Sequence, residues 1–358
     1  MQLWTTGVAS PRGSARAAKQ LEDAGWDGFL VVDSQNLSGD PYIALAMAAA
    51  ATSRLGLGTG VTNNVTRHAS VTACSITSVQ RLSNGRAVLG IGRGDSALAH
   101  LGRAPSRLAP FERYLRQLQA YLAGDAVPFA DIDLPIGVAP PMSELELADA
   151  PPDSRIGWIA AGGGPKVPVE VAASGPRVIA IAALHADRIM FALGADEARI
   201  AWGIEHARST RKAAGLDPDG IKFGAYVNCG CHTDADKARD LVRGALTTFA
   251  RFSVMHGTAS GPVSDSDRKV LSDLHDSYDM KAHTRGDSRQ AGVLTPDFIG
   301  RFAIAGTPDH CIARLRGLTA LGLDKVAMTG SMRGVSAEDA AVSKQLLETV
   351  VLPGVRAG

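Results

Sequence analysis

The chain has 358 residues, 45% of them hydrophobic and 20% charged, and its Lys and Arg (37) almost balance its Asp and Glu (36). A net charge of +1 and a pI near 7.8 give no general attraction to nucleic acid or to an anionic membrane surface, and the apolar content is that of a chain with a large core. The Ala-rich apolar run at residues 43–52 is too short to span a bilayer, and no basic segment followed by an apolar core opens the sequence, so no membrane contact and a cytoplasmic location are expected.

Residues 2–8 read as a first strand and 14–24 as a helix capped by Ser14 and stopped by Gly25. A second buried strand at 29–32 ends in Asp33-Ser34. Asp40-Pro41 opens a helix running to residue 52, with proline in its first turn, and a glycine-rich third strand follows at 55–61. The helix at 70–82 is closed by Asn84-Gly85. The fourth strand, Ala87-Val88-Leu89-Gly90-Ile91-Gly92, is apolar on both faces and breaks into glycines at its end.

An amphipathic helix at 106–122 leads into a long excursion, residues 125–164, that loses periodicity and gathers Pro128, Pro135, Pro140, Pro141, Pro151 and Pro152. Order resumes with a fifth strand at 167–173, which runs into Ser174-Gly175-Pro176-Arg177 and a helix to about residue 185. Strands at 188–192 and 221–229 alternate with helices at 195–214 and 234–251. Residues 252–304 are polar, with patches of helical pattern, and read as a lid. Thr307-Pro308 caps a helix to residue 321, the eighth strand is 325–329, and a last helix covers 337–351.

Parallel strands need such crossovers, so the class is α/β. Eight strand and helix pairs imply a (β/α)₈ TIM barrel, one domain over 1–358, with insertions after strands 4 and 7 at 125–164 and 252–304; a doubly wound open sheet is the alternative. The cysteines, Cys74, Cys229, Cys231 and Cys311, have neither redox nor zinc spacing, and Cys229 and Cys231 lie on one side of a strand as small core residues. No histidine or aspartate pair has ligand spacing at the strand ends, so no metal is expected.

A barrel puts its active site at the C-terminal ends of its strands. There the chain offers two small-residue loops able to aim backbone N–H groups at an anion, Gly92-Arg93-Gly94-Asp95-Ser96-Ala97 and Ser174-Gly175-Pro176-Arg177. Asp95 or Ser96 can cap the segment that follows. The third strand end, from Gly60, Val61, Thr62 and Asn63 to His68, supplies hydroxyls, amides, a cation and an imidazole in a few residues. A phosphorylated cofactor fits such loops. Asp33, His68 and the lid residue His256 are candidate proton donors, since histidine titrates near neutral pH and a sheltered carboxylate can be shifted toward it.

In order and spacing, Ala24-Gly25-Trp26-Asp27, Asp33, Gly39-Asp40-Pro41, Leu57 to Asn63 with Thr66-Arg67-His68, Leu82 to Arg86, Gly90 to Ala97 and Ala172 to Pro176 resemble the bacterial luciferase-like superfamily, closest to its methylenetetrahydromethanopterin reductase branch. The resemblance implies a barrel that binds coenzyme F420 or FMN at the strand C-termini. It also implies a non-prolyl cis peptide at Gly60-Val61 forming a bulge behind the flavin ring. Gly94, Asp95, Ser96 and Ala97 with Ser174 and Gly175 match the phosphate and side-chain cradle, and Asp33 a ring-proximal position.

Three functions follow. The first is coenzyme F420-dependent hydride transfer to or from a small organic substrate. The second is FMN-dependent monooxygenation with a partner flavin reductase as electron source, and the third is non-catalytic flavin binding. Apolar helices at 43–51 and 71–82 suit a homodimer or higher homo-oligomer as well as an internal contact.

Overall fold

A computed structural model describes residues 1–10, 12–255, 257–330 and 333–357. Its ten strands are β1 (Gln2–Val8), β2 (Gly28–Val32), β3 (Gly56–Thr59), β4 (Thr62–Asn63), β5 (Ala87–Gly92), β6 (Val169–Ala173), β7 (Arg188–Phe191), β8 (Lys222–Cys231), β9 (Ile304–Gly306) and β10 (Lys325–Thr329). Every pairing between them is parallel, and β10 pairs with both β1 and β8, so the sheet closes. The staves in circular order are β1, β2, β3, β5, β6, β7, β8 and β10. Each coincides with one of the eight strands expected from the sequence, and the closed sheet excludes the open doubly wound alternative.

Two short strands were not foreseen. β4 continues the third stave beyond the Gly60–Val61 bond and pairs with β5, while β9 extends the sheet from the C-terminal residues of β8, Cys229–Cys231. β8 is therefore the longest strand, serving the barrel with its first part and β9 with its last.

Alternation along the strands divides the side chains between two cores. Outward-facing residues such as Leu57, Leu89, Val171, Ile189, Val227 and Val326 pack against the helices. Inside, Trp4, Leu30, Met190, Tyr226 and Ala327 fill the barrel. Room for Trp4 comes from missing side chains: a Cβ at Gly28 would lie 2.2 Å from its indole, and one at Gly56 would lie 2.5 Å away. Below this layer Glu170, fully buried, accepts from Lys325 Nζ (2.7 Å) and from Arg188, which also donates to Asp324. That ionic cluster closes the end of the barrel away from the strand C-termini.

Helix starts follow side-chain caps in several places. Asp40 accepts from Tyr42 N (2.8 Å) and Ile43 N (3.2 Å), and Thr307 accepts from His310 N. Ser14 departs from the expectation: it is the first helical residue, and its hydroxyl turns back to Ser10 rather than forward to the helix N–H groups. The last helix is also not one piece, since a wider π turn at Leu347–Val351 joins Ala337–Leu346 to Leu352–Arg356.

Between the helix Leu108–Ala123 and β6 the proline-rich segment holds only the turns Phe129–Asp131 and Met142–Leu145 and the short helix Gly157–Gly162. After β8, the helix Ala235–Ser253 leads into a lobe with its own apolar cluster, including Leu246, Val254, Leu271, Leu274, Phe298 and Phe302. Fully buried Arg199 ties that lobe to the barrel, donating to Ser253 Oγ (2.9 Å) and to the Leu193 and Ser260 carbonyls. Among the described residues no helix is long and apolar enough to cross a membrane.

Candidate active site

Glycines shape the mouth of the barrel. The Gly60–Val61 peptide bond is cis and separates β3 from β4, with Val61 packed on the interior layer. A Cβ at Gly60 would stand 2.7 Å from Leu30 Cβ, and one at Gly90 would stand 2.1 Å from the Thr59 carbonyl oxygen. Only glycine lets the third stave approach the second at Gly60 and the fourth at Gly90 this closely beside the bulge. Gly94 has φ +86°, a conformation that side chains disfavour, and its backbone turns β5 into the four-residue helix Ser96–Ala99.

The expected loops are both at this end. Ser96 Oγ shares a 2.7 Å hydrogen bond with Ser34 Oγ, and Gln35 Nε2 donates to the Ala97 carbonyl (2.9 Å), so the second and fourth staves hold the loop between them. Neither Asp95 nor Ser96 supplies a side-chain cap. Instead Asp95 accepts from Arg251, in the last turn of the helix Ala235–Ser253. A carboxylate in a loop of small residues needs a cation more than its helix needs a cap.

Ser174 Oγ donates to the Phe252 carbonyl (3.1 Å), so the second loop also touches the lobe. Pro176 opens the helix Pro176–His185 behind Gly175, where a Cβ would meet nothing within 4 Å. Half-buried Arg93 donates to the Ser106 carbonyl (2.8 Å), and its guanidinium is held below its ordinary pKa by burial and by exposed Arg177 nearby. The two cations lie close enough to repel, an arrangement that an anion would relieve.

Asp33 is 3% exposed; Thr62 Oγ1 (2.7 Å) and Arg67 Nη1 (2.5 Å) both donate to its Oδ2, while its Oδ1 has no partner. Arg67 also donates to Asp40 (2.8 Å) and lies over the Tyr42 ring. Asn63 Oδ1 closes a turn by accepting from Val65 N and Thr66 N, and its Nδ2 is buried without a partner. Asp33 and Thr62 thus stand together on one side of β4 and Asn63 on the other, with one acceptor on Asp33 and one donor on Asn63 unused.

His68 caps the helix Ala69–Leu82. Ser70 N donates to its Nδ1 (3.3 Å), and its ring meets Tyr121 edge-on at 6.3 Å, among the outer helices. Burial lowers its pKa, and its Nε2 is buried without a partner. His256 lies outside the described residues. Among the described residues no cluster of three or more His, Cys, Asp or Glu is arranged to hold a metal ion.

Sequence reading missed the groups that reach the mouth from the far side. Phe249 lies over Tyr226 (centroids 6.0 Å apart) and meets Phe252 edge-on (5.8 Å). Arg251 lies over the Tyr278 ring at 4.6 Å, and Tyr278 Oη is 2.7 Å from His283 Nδ1. His283 is held below its ordinary pKa by burial, against the pull of Asp95. The helix pattern of 234–251 gives no sign of Arg251, because its partner Asp95 lies on another strand end.

Two cavities lie away from this mouth. About 460 Å³ opens between the helix Ala69–Leu82 and Ser154 to Trp158, and about 270 Å³ between that helix and Ile159 to Val167. Both are seams under the proline-rich segment, lined without a convergent set of charged groups. The glycine loops and unused buried polar atoms make the mouth the better candidate.

A family model described as luciferase-like monooxygenase matches residues 2–325. The 5,10-methylenetetrahydromethanopterin reductase of Methanolobus tindarius is 28% identical over 331 residues, 91% of this chain and 92% of that one. Among solved structures the fold is similar to a coenzyme F420 dependent tetrahydromethanopterin reductase from Methanopyrus kandleri (TM-score 0.70, 20% identity, 98% of each chain). It is also similar to an F420-dependent secondary alcohol dehydrogenase in complex with an F420-acetone adduct (TM-score 0.71, 16% identity, 99% of each chain).

Proposed function

The chain belongs to the luciferase-like monooxygenase family, and on that premise we propose that it is an oxidoreductase using coenzyme F420 for hydride transfer to or from a small organic substrate. The observation that carries this reading is the glycine-built mouth, with the loop Gly92 to Ala97 beside the Gly60–Val61 bulge, in a chain that runs alongside methylenetetrahydromethanopterin reductases over nine-tenths of its length.

When bound, a deazaflavin cofactor supplies a hydride donor or acceptor carbon on its ring. The protein's part is to bind, orient and exclude water. The N–H groups of Gly94 to Ala97, with Ser174, Gly175, Pro176 and Arg177 facing them and Arg93 adding charge, would hold the anionic side chain. Gly60, Val61 and Gly92 would back the ring, with Asn63 Nδ2 as donor and Asp33 Oδ1 as acceptor for its polar edge; both atoms are otherwise unsatisfied. Phe249 and Phe252, which meet edge-on beside Tyr226, would form an apolar flank over the bound ring.

The family's description supports a second reading, monooxygenation with reduced FMN and a partner reductase. Fluorescence titration separates the two. Purified protein stripped of cofactor quenches coenzyme F420 at low micromolar concentration and FMN far more weakly on the first reading; the reverse ranking makes oxygenation the function.

The same proposal includes a cytoplasmic location and a homodimer or higher homo-oligomer. Exposed Ile43 (61%), Val71 (51%) and Leu82 (58%) on two neighbouring helices support self-association, because another copy would cover them.

A further inference from the structure

Asn228 carries a feature that the cofactor reading does not use. It lies near the C-terminal end of β8, two residues beyond Tyr226 and therefore on the same inward face. It is 1% exposed, and among the described residues neither its Oδ1 nor its Nδ2 has a hydrogen-bond partner. Tyr226, about 6.6 Å deeper along the strand backbone, is 4% exposed, and its hydroxyl is likewise unpaired. Buried polar atoms are normally paired, and three orphans on one inward face point to a ligand.

Which ligand follows from the circular order of the staves. Val61 is on the third and Asn228 on the seventh, four places apart in a ring of eight, so they face each other across the barrel. A ring backed on the Gly60–Val61 bulge leaves the Asn228 side to the other reactant; this placement rests on the cofactor reading above. Phe249, over Tyr226, adds an aromatic flank to that side.

The geometry points to Asn228 as the residue that selects the substrate, by pairing with a planar group that carries a hydrogen-bond acceptor next to an N–H donor: a cyclic amide or an amino-substituted ring nitrogen. An asparagine amide offers one donor and one acceptor in a plane and so matches such an edge with two hydrogen bonds, as asparagine does when it reads the edge of adenine. A substrate with a lone carbonyl would leave Asn228 Oδ1 buried and unpaired, and an aliphatic one would leave both atoms so. Tyr226 supplies a further hydroxyl donor to an acceptor set deeper.

The test uses quinolin-2-one, a fluorescent planar cyclic amide, and its N-methyl analogue, which lacks the donor. Both are titrated into full-length protein loaded with coenzyme F420 and, in parallel, into cofactor-free protein. Quinolin-2-one is expected to bind saturably and about tenfold or more tighter than the N-methyl analogue. In Asn228→Leu the two should bind alike, while coenzyme F420 affinity stays within about twofold. Should the leucine variant fail to fold, Asn228→Ala, which removes the acceptor and the donor without adding bulk, is expected to erase the same preference.

Equal binding of the two probes by the natural chain, or no saturable binding of quinolin-2-one, overturns the assignment. So does a variant that loses coenzyme F420 binding yet keeps the preference. A natural chain that binds no coenzyme F420 overturns the cofactor reading instead, and the cofactor-free titration then still decides whether Asn228 reads the amide edge.

Discussion

Arg251 donates to the carboxylate of Asp95, 156 residues away, and so joins the lobe after β8 to the loop that ends β5. Both side chains are largely shielded, at 13% and 19% exposure, and the Tyr278 ring lies against the guanidinium. A loop expected to hold an anion thus contains an acid, and a cation from the lobe offsets it.

That pairing has a measurable consequence for binding. Arg251→Met leaves Asp95 uncompensated beside the N–H groups of its own loop, and coenzyme F420 affinity is expected to fall about tenfold, or about 1.4 kcal/mol. Asp95→Asn in the same background removes the repulsion and should restore most of the loss. Fluorescence titration of the two single variants and the double variant gives the coupling directly. Simple additivity would mean that the two side chains affect binding independently and that their pairing does not matter to it.

Gly175 allows a cleaner test of the second loop. A Cβ there meets nothing within 4 Å and its φ is negative, so Gly175→Ala is expected to change thermal stability by no more than about 0.5 kcal/mol. If Gly175 lies against the cofactor's anionic part, the added methyl occupies that space, and affinity drops about tenfold with no change in the melting curve. Gly90→Ala is the contrast: its Cβ would strike the Thr59 carbonyl at 2.1 Å, so both stability and binding should be lost.

The barrel's ionic cluster yields a pH prediction. Burial lowers the Lys325 ammonium from 10.5 to about 8, with Glu170 opposing the shift. Between those values the unfolded chain carries a proton that the folded chain has released, so this group makes stability rise with pH across that window. Relative to Lys325→Met, the natural chain should gain stability from pH 8 to pH 10.5 in denaturant titrations. At pH 7 the single variant is expected to lose about 3 kcal/mol, because the second oxygen of Glu170 is left unpaired. Glu170→Leu with Lys325→Met should recover much of it, since the interior layer of Trp4 and Met190 is already apolar.

How far the sequence carries these assignments depends on which signal each residue leaves. Strands buried on both faces leave continuous apolar runs, and glycine or asparagine marks the end of several helices, as at Gly25, Asn84 and Gly124, so all eight staves could be read. Asp40 and Thr307 were readable as caps because aspartate or threonine before proline has one common use; Ser14 had a competing partner in Ser10. Arg251, Tyr278 and Phe249 left no local mark, because their contacts are made across the mouth. Asn228 was within reach: a polar side chain two positions past Tyr226, near the end of an otherwise apolar strand, meets the strand-end rule that nominated Asp33.

His68 separates a cap from a proton donor. Ser70 N donates to Nδ1, which assigns the ring proton to Nε2, and the ring packs on Tyr121 rather than beside Val61. His68→Ala removes the cap and is expected to cost about 0.5–2 kcal/mol, whereas His68→Asn keeps an acceptor for Ser70 N and should be close to neutral. Burial holds the imidazole below its ordinary 6.5, so as pH falls past that value the unfolded chain takes up a proton that the folded chain resists. Stability present above pH 6.5 is therefore lost below it, and His68→Asn should flatten that part of the profile. Hydride transfer retained in His68→Asn, with the acid limb of the stability curve flattened, identifies a structural cap. Loss of turnover with unchanged coenzyme F420 binding would return His68 to the chemistry, by way of the buried Nε2.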